Sequence, residues 1–182
     1  MDQVNAPTPD AVVEVKACFG PIVSPDSRLL ILGTLPGEEA LMRRQYYGHP
    51  RNHFWPIIAA AFGEVLPVSY DDRIAMLGRH RIALWDVLQS AQRVGSLDSK
   101  IENPIANDFG AFFAGHPNIR TLAFNGNNAH KFFRRFVEKK QNFPLNQIRM
   151  LFLPATSPAY ARPFEEKAAK WREALAGAIG SN

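Results

Sequence analysis

The sequence contains a single cysteine, Cys18, in a chain of 182 residues. One cysteine cannot form an intramolecular disulfide, and it cannot supply the thiolate clusters that hold zinc or an iron–sulfur centre. A zinc-dependent base deaminase, which needs a Pro-Cys-x-x-Cys motif, is therefore excluded. The cysteine content favours a reducing compartment, and we expect a cytoplasmic protein, associated with the nucleoid if the source is bacterial.

Long apolar runs are also missing, because no stretch approaches the roughly 18 residues that a membrane-spanning helix needs. The first ten residues, MDQVNAPTPD, are acidic and proline-bearing instead of basic and then apolar. We therefore expect a soluble, unprocessed protein without a membrane partner. The length and the 46% hydrophobic composition suffice for one substantial core. We expect a single domain over residues 1–182, with frayed ends at 1–10 and 180–182.

Several motifs of other functional classes do not occur. Neither G-x-x-x-x-G-K-[ST] nor G-x-G-x-x-G is present, so no known phosphate-binding loop is predicted, and the absence of G-x-S-x-G argues against a serine hydrolase. The five histidines form no H-E-x-x-H pair, and we expect neither a metal nor a cofactor. The formal charge of +4 permits an anionic partner such as nucleic acid.

Four short apolar runs have the pattern of strands buried on both faces, at 28–33, 81–88, 119–126 and 147–154. Helical patterns lie between and after them, at 53–63, 70–80, 105–115, 127–139 and 163–179. This alternation predicts an α/β fold, a three-layer α/β/α sandwich with a small, about four-stranded, mainly parallel central sheet. Ligands of such folds bind at the carboxyl ends of the strands, which selects the loops 33–52, 86–99, 125–128 and 154–162.

The loop after the first predicted strand begins with GTLPG, residues 33–37. Its glycines allow a tight turn and close approach of a ligand to the backbone, and Pro36 fixes one φ angle. QYYGHPRNHFWP (45–56) then gathers flat rings and amides of the kind that suit a nucleic-acid base. Ordinary structural roles also fit this segment: a simple strand-to-helix turn, Asn52 as a helix cap, and Phe54 and Trp55 as core residues.

GTLPG, QYYGHPRNHFWP, LAFNG and LPATSPAYAR occur here in an order that resembles the uracil-DNA glycosylase superfamily. The resemblance is greatest to its family 6 branch, the hypoxanthine-DNA (deoxyinosine) glycosylases, and it extends over about residues 20 to 175. It implies a small parallel sheet between helices. It also implies hydrolysis of the N-glycosidic bond of a damaged base that is flipped out of the DNA stack, as in base excision repair.

Most members of the superfamily carry Asp, Asn or Glu at the third position of the first motif, where the side chain positions water at the sugar C1′. This sequence has Leu35 at that position, and an alkyl side chain cannot orient water. The resemblance to family 6 implies that Asn52 takes the role instead. A neutral amide is a poor proton acceptor, so its contribution is to hold the water and direct its attack.

The resemblance also implies which residues hold the base. Tyr47 is expected to stack on the flipped base, with Tyr46 as its neighbour. Asn125 is expected to pair with the O6/N1 edge of hypoxanthine, although it also fits as a cap for the helix that follows. The backbone of the first motif completes the predicted pocket, through Gly33, Thr34, Leu35, Pro36 and Gly37.

LPATSPAYAR (153–162) matches the superfamily's second motif, a loop that enters the minor groove and grips phosphates. DNA-binding roles are thereby implied for Thr156, Ser157, Pro158, Tyr160 and Arg162, and Arg51 beside the pocket loop is a further candidate. No imidazole stands near 155–156, where many relatives use His or Asn toward uracil O2, which favours a purine leaving group. The loop also fits a plain strand-to-helix connection, and the basic run from 131 to 140 fits a solvated helix face.

We therefore expect a monomeric, monofunctional DNA glycosylase that releases hypoxanthine from damaged DNA, double-stranded or single-stranded. A lyase step is not expected, because no lysine occurs between residues 17 and 99. An abasic-site endonuclease is the partner that the family implies. The alternatives are a uracil- or mismatch-specific glycosylase and a catalytically inactive DNA-binding relative, and pocket geometry decides among hypoxanthine, xanthine, uracil and ethenocytosine.

Overall fold

The computed structural model describes residues 14–141 and 145–179, so the expected frayed ends lie outside the described residues. The strands are β1 (Val15–Ala17), β2 (Leu29–Gly33), β3 (Ile82–Asp86), β4 (Leu88–Arg93), β5 (Ile101–Ala106), β6 (Thr121–Asn125) and β7 (Arg149–Leu153). The helices are α1 (Glu38–Arg43), α2 (Phe54–Phe62), α3 (Tyr70–Arg79), α4 (Phe109–Gly115), α5 (Asn127–Phe133) and α6 (Phe164–Ile179). Shorter turns of helix lie at Asp98–Lys100, Arg134–Glu138 and Leu145–Gln147.

The central sheet has four parallel strands in the order β3-β2-β6-β7, and helices flank it. All five residues of β2 and of β3 are buried, because both faces of these strands are covered. The predicted α/β fold with a small parallel sheet is confirmed. Parallel pairing brings the carboxyl ends of all four strands to one edge of the sheet.

A second sheet was not predicted from the sequence. It is antiparallel, has the order β1-β4-β5, and occupies part of the segment 86–99 that was expected to be a loop. The helix expected from residue 105 begins at Phe109, after β5, and the side chain of Asp108 caps it. The short helix α1 was also missed. These elements are short. The strand β4, LQSAQR, is largely polar, and the apolar residues of β5, IENPIA, are interrupted by Glu102, Asn103 and Pro104, so neither carries the apolar run that marked the central strands.

Helices α2 and α6 pack together and hold the loops that follow β2 and β7. Phe54 at the start of α2 meets Trp171 of α6 edge to face, with ring centroids 6.0 Å apart. The Trp171 indole Nε1 donates a hydrogen bond to the carbonyl oxygen of Pro154 at 2.9 Å. The interpretation of Phe54 and Trp55 as core residues is confirmed, since both are buried. Among the described residues, no helix is long and apolar enough to cross a membrane.

Gly126 allows the loop after β7 to cross close to the turn between β6 and α5. Its φ of 93° and ψ of 163° lie in a region that side chains avoid. A Cβ atom at this position would also lie 2.8 Å from the Cβ of Ala155. The loops that carry Asn125 and Thr156 therefore approach each other only because residue 126 is glycine.

We expect Gly126→Ala to lower the free energy of unfolding by about 2 kcal/mol or more, because it adds both backbone strain and a steric clash. The matched control is Gly78→Ala on α3, where a Cβ meets nothing within 4 Å. Alanine is more favourable than glycine within a helix, so the free energy of unfolding of this control should rise by up to about 1 kcal/mol. Urea denaturation measures the free energy of unfolding of both variants and the wild type. A Gly126→Ala variant as stable as the wild type would contradict the requirement for glycine at position 126.

Candidate active site

A cavity of about 620 Å³ lies at the carboxyl ends of the central strands. Its walls come from the four segments that the topology rule selected, at 33–52, 86–99, 125–128 and 154–162, together with Leu153 at the end of β7. The cavity brings together all the site residues predicted from the sequence except Arg51 and Arg162, which are exposed and do not line it. Residues more than 100 positions apart in the chain therefore share one volume that can hold a small molecule or a single base.

The first loop of the cavity is held from behind by the buried guanidinium of Arg93 on β4, which is only 1% exposed. Arg93 donates hydrogen bonds to the backbone carbonyls of Pro36 and Leu35, the latter at 3.4 Å. Its Nη1 also lies 3.6 Å from Oδ1 of Asp98, a residue of the cavity wall. The loop that contains Gly33 to Gly37 is thereby held by a charged group of the second sheet. Leu35 itself is buried and presents no polar side chain.

Gly33 leaves room for two polar side chains at the end of β2. A Cβ atom on this residue would lie 2.4 Å from Oδ1 of Asp86 and 2.9 Å from the hydroxyl of Tyr47. Both groups therefore approach the backbone closely at the cavity wall. The sequence pointed to the backbone of Gly33, whereas the structure shows which side chains occupy the space that the missing Cβ leaves.

The two tyrosines of the pocket loop have different environments. The Tyr46 side chain is 3% exposed, and its hydroxyl donates to the Phe19 carbonyl oxygen at 3.0 Å, so it anchors the loop to the core. Tyr47 has a left-handed φ of 54° and stacks on Phe54 with ring centroids 4.0 Å apart. The Tyr47 hydroxyl is buried without a hydrogen-bond partner. Burial, and then the nearby Asp86, raise the pKa of this phenol far above its ordinary value.

Asn52 lines the cavity, and its side chain also bonds the first residue of α2, which is close to the capping role that the sequence allowed, although the N-cap residue is His53. Its side-chain oxygen Oδ1 accepts a hydrogen bond from the backbone N–H of Phe54 at 3.0 Å. Its own backbone N–H donates to the His49 carbonyl oxygen at 2.9 Å. These bonds fix the direction of the amide group, and Oδ1 keeps a second lone pair for a further donor.

Asn125 joins β6 to the loop that follows β7. Its amide nitrogen donates to Oγ1 of Thr156 and its amide oxygen accepts from the Thr156 backbone N–H, both at 2.9 Å. No side chain caps α5, so the alternative of Asn125 as a helix cap is not what the structure contains. The Thr156 carbonyl in turn accepts from the His53 N–H at 3.1 Å. Three loops of the cavity are thus connected through one residue.

The environment of Thr156 differs from that expected of a side chain that contacts a phosphate. The residue is 1% exposed, and its hydroxyl oxygen accepts the hydrogen bond from the Asn125 amide. A buried amide needs such polar partners. The neighbouring predicted residues are more accessible: the Ser157 hydroxyl accepts from the Ala159 N–H at 3.2 Å, and Tyr160 is 41% exposed. The ammonium of Lys167 lies 5.3 Å from the centre of the Tyr160 ring.

The two predicted arginines stand outside the cavity. Arg51 is exposed one residue before Asn52, and Arg162 is exposed with a long ion pair of 3.8 Å to Glu166. Exposed ion pairs of this length hold a side chain weakly, so Arg162 is free to exchange its partner for a phosphate. Their DNA-binding roles stay predictions.

Asp86 is the main site residue that the sequence analysis missed. It ends β3 opposite Gly33, lines the cavity, and is 4% exposed. Its Oδ2 atom is buried without a hydrogen-bond partner. Burial raises the pKa of this carboxyl to about 8, the charge of Asp98 adds to the rise, and the Arg93 guanidinium opposes it. An aspartate directly after the buried run IALW was a signal for this site.

Within residues 14–141 and 145–179, no group of His, Cys, Asp or Glu side chains is arranged to hold a metal ion. Asp98 differs from Asp86 in having partners: it is paired with Arg93 and accepts a hydrogen bond from the Asn128 side chain at 3.3 Å.

Comparison with known proteins identifies a family and several proteins that are similar to this chain. Residues 21–177 match the family model described as the Uracil DNA glycosylase superfamily. Two similar curated proteins are each described as a hypoxanthine DNA glycosylase. The one from Methanosarcina barkeri is 36% identical over 118 residues, 64% of this chain and 75% of that protein. The one from Methanosarcina acetivorans is 38% identical over 119 residues, 65% of this chain and 75% of that protein.

The fold is also similar to that of a solved structure. It is the solution NMR structure of a protein from Methanosarcina acetivorans that is described as a candidate uracil DNA glycosylase. The TM-score is 0.75 at 31% identity, and the alignment covers 89% of this chain and 97% of that one. The region matched by the family model contains every residue that lines the cavity.

We expect Asp86→Asn to remove a pH-dependent loss of stability. Above its ordinary pKa of 3.8 the carboxyl ionises in the unfolded chain but stays protonated in the folded one, up to a pKa of about 8. The wild type should therefore lose stability as the pH rises from about 4 to about 8, and the variant should not. Urea denaturation at pH 4.5, 7 and 9 measures the growing difference between them.

The matched control for removing a carboxylate is Asp71→Asn, on the exposed first turn of α3. Parallel stability curves for Asp86→Asn and the wild type between pH 4.5 and 9 would show that the Asp86 carboxyl ionises alike in the folded and unfolded chains.

Proposed function

Because this chain belongs to the uracil DNA glycosylase superfamily, we propose that it is a monofunctional DNA glycosylase acting on hypoxanthine in deoxyinosine. The family and the curated relatives support the general activity, a hydrolase of DNA repair that releases a base from DNA. The descriptions of the relatives as hypoxanthine DNA glycosylases support this substrate. In this proposal the chain acts as one domain and as a monomer, on double-stranded or single-stranded DNA.

The observation that carries the proposal is the meeting of Tyr47, Asn52 and Asn125 in one cavity. An aromatic ring can stack on a base, one amide can hold water, and a second amide can read the edge of a base. A cavity of about 620 Å³ is of the size that binds small molecules. A base must leave the stack to reach such a volume, so the proposal includes base flipping.

Asn52 positions the attacking water in the proposed reaction. The bond between C1′ and N9 breaks with its electron pair passing to the base, and the water oxygen adds to C1′. Oδ1 of Asn52 already accepts the Phe54 N–H, which holds it in place, and its second lone pair accepts a hydrogen from the water. The amide orients the water and takes no proton, which passes to solvent.

Asn125 supports the reading of hypoxanthine. The base presents the O6 acceptor beside the N1–H donor, and an amide offers the complementary donor and acceptor. In the free protein Thr156 uses one hydrogen and one lone pair of this amide, so one of each remains. The Asn125–Thr156 pair therefore supports a preorganised reading position.

The cavity also supports simple hydrolysis over a lyase reaction. No lysine is among the described residues that line it, so no amine stands ready to attack C1′. The product is then an abasic site, which an abasic-site endonuclease of the same repair route can process. Arg51 and Arg162, exposed beside the cavity, are the proposed phosphate contacts, and each such contact steepens the salt dependence of DNA binding.

A single-turnover assay on duplexes that carry inosine, uracil, xanthine, ethenocytosine or an undamaged base tests the substrate. We expect abasic sites, revealed by alkali cleavage, to form fastest at inosine. Fastest cleavage at uracil would keep the general activity and overturn the choice of base. Duplex binding without any cleavage would indicate a catalytically inactive DNA-binding relative.

We expect Asn52→Ser to separate the two roles of Asn52. Serine caps a helix well, so the bond to the Phe54 N–H is kept, but its side chain is too short to hold the water. The single-turnover rate on inosine should fall about 100-fold with duplex binding unchanged, because a misplaced nucleophile is costly. Asn118→Ala, an exposed asparagine bonded to Pro25, is the control. A wild-type rate for Asn52→Ser would mean that capping is the only role.

We expect Tyr47→Ala and Tyr47→Phe to differ. Alanine removes the ring, and the loss of stacking should weaken binding to an inosine duplex by about 10-fold to 100-fold, or about 1–3 kcal/mol. Phenylalanine keeps the ring and removes a buried hydroxyl that has no partner, so binding should stay close to that of the wild type. Fluorescence anisotropy with labelled duplex measures both. If phenylalanine is as damaging as alanine, the hydroxyl and not the ring recognises the base.

A further inference from the structure

Three acidic side chains line the cavity, Glu39, Asp86 and Asp98, and the proposed reaction uses none of them. Glu39 is paired with Arg43 and Asp98 with Arg93, whereas Asp86 has no ion-pair partner among the described contacts. It stands at the carboxyl end of a central parallel strand, directly opposite Gly33. The side chain is enclosed, and its Oδ2 atom finds no hydrogen-bond partner in the protein. A buried polar atom left unpaired costs about 1–3 kcal/mol, so its retention beside a ligand cavity points to a partner that arrives with the ligand.

The groups around Asp86 keep its carboxyl in the acid form. Ionisable side chains face it from the segment after β1, from the pocket loop, from β4 and from the turn before β5; they are Cys18, Tyr46, Tyr47, Arg93 and Asp98. Only Arg93 is cationic, and it is already bonded to the carbonyls of Leu35 and Pro36 and to Asp98. No salt bridge joins it to Asp86 among the described contacts, so burial dominates and a neutral carboxyl with a proton to donate results.

We propose that the Asp86 carboxyl is a catalytic acid that donates its proton to N7 of the departing purine, an inference that rests on the proposed function. As the bond between C1′ and N9 breaks, its electron pair moves onto the purine. The proton passes from Asp86 to N7, so the base leaves as neutral hypoxanthine and Asp86 becomes a carboxylate. Water adds to C1′ and releases one proton to solvent, and Asp86 regains one from solvent.

This acid distinguishes classes of leaving group. A purine attached through N9 has an unprotonated ring nitrogen, N7, in the ring whose bond to the sugar breaks. Uracil attached through N1 has only N3 as a second ring nitrogen, and N3 already carries a hydrogen. Protonation at a ring nitrogen therefore assists purines, whereas uracil can be assisted only at its carbonyl oxygens, and this sequence lacks the imidazole that many relatives place toward O2. General acids contribute about 100-fold to 10,000-fold to such steps, enough to set the preference of the enzyme.

The first test is the pH dependence of single-turnover excision from an inosine duplex. The wild-type rate should decrease by about tenfold per pH unit once the pH exceeds the carboxyl pKa, which burial places at about 8. Asp86→Asn keeps the shape and a hydrogen-bond donor but has no acidic proton, so its rate should be at least about 100-fold lower and lack this decrease. A rate that rises through the same pH range would assign a base to this position and overturn the proposal.

The second test needs no variant. A duplex that carries 7-deazadeoxyinosine replaces N7 by a carbon atom that cannot accept the proton. Wild type should cleave it more slowly than inosine by about the same factor as Asp86→Asn costs, whereas the variant should treat both substrates alike. Equal wild-type rates on the two substrates would overturn the proposal.

The outcomes separate this inference from the proposed function. If wild type cleaves inosine and Asp86→Asn cleaves it equally, the proposed function stands and the acid is wrong. If wild type cleaves uracil but not inosine, the purine substrate and the acid are both wrong, while the DNA glycosylase assignment stands. Asp71→Asn on the exposed face of α3 is the control for the substitution type. Circular dichroism confirms the fold of each variant.

Discussion

The buried guanidinium of Arg93 is the interaction on which the geometry of the cavity depends. It joins the two sheets, because it stands on β4 of the antiparallel sheet and bonds the carbonyls of Leu35 and Pro36 in the loop after β2 of the parallel sheet. Those carbonyls would otherwise be buried without donors, at a cost of about 1–3 kcal/mol each. Burial lowers the pKa of Arg93, and the charge of Asp98 opposes that shift most strongly, so the guanidinium stays charged in an enclosed site. The loop is consequently held as a preformed wall.

Two kinds of polar group meet behind this wall. Asn125 and Thr156 satisfy each other through a reciprocal pair of hydrogen bonds, and through the Thr156 carbonyl they also hold the start of α2. Tyr47 and Asp86, in contrast, keep a buried hydroxyl and a buried carboxyl oxygen without partners. The satisfied groups set the positions of three loops, whereas the unsatisfied ones have bonding capacity left for a ligand. A site that is rigid in its frame and unpaired at its inner surface is preorganised for one occupant.

Much of the parallel half of the molecule was predictable from the sequence. The four central strands are recognisable in the sequence as continuous apolar runs ended by Gly, Asp, Asn or Pro. Their parallel pairing follows from the helices between them. The rule that ligands bind at the carboxyl ends of such strands then selected the four loops that line the cavity. The antiparallel sheet was not predictable in the same way. Its strands are short, β4 and β5 contain no continuous apolar run, and the pairing of β1 with β4 joins segments far apart in the chain that no local period reveals.

The sequence by itself determined the fold class and the edge of the sheet that carries the cavity, because strand runs and turn residues act locally. The motif residues Tyr47, Asn52 and Asn125 came from the resemblance of the motifs to a family, and their roles stay predictions. Only the tertiary structure decided that Thr156 pairs with Asn125 instead of facing solvent, and that Asp86 and Arg93 are buried side chains of the cavity and its frame. The burial of a polar side chain depends on segments far away in the chain. Asp86 is enclosed by residues from four other segments, and their distances to it are set by the packing of the two sheets.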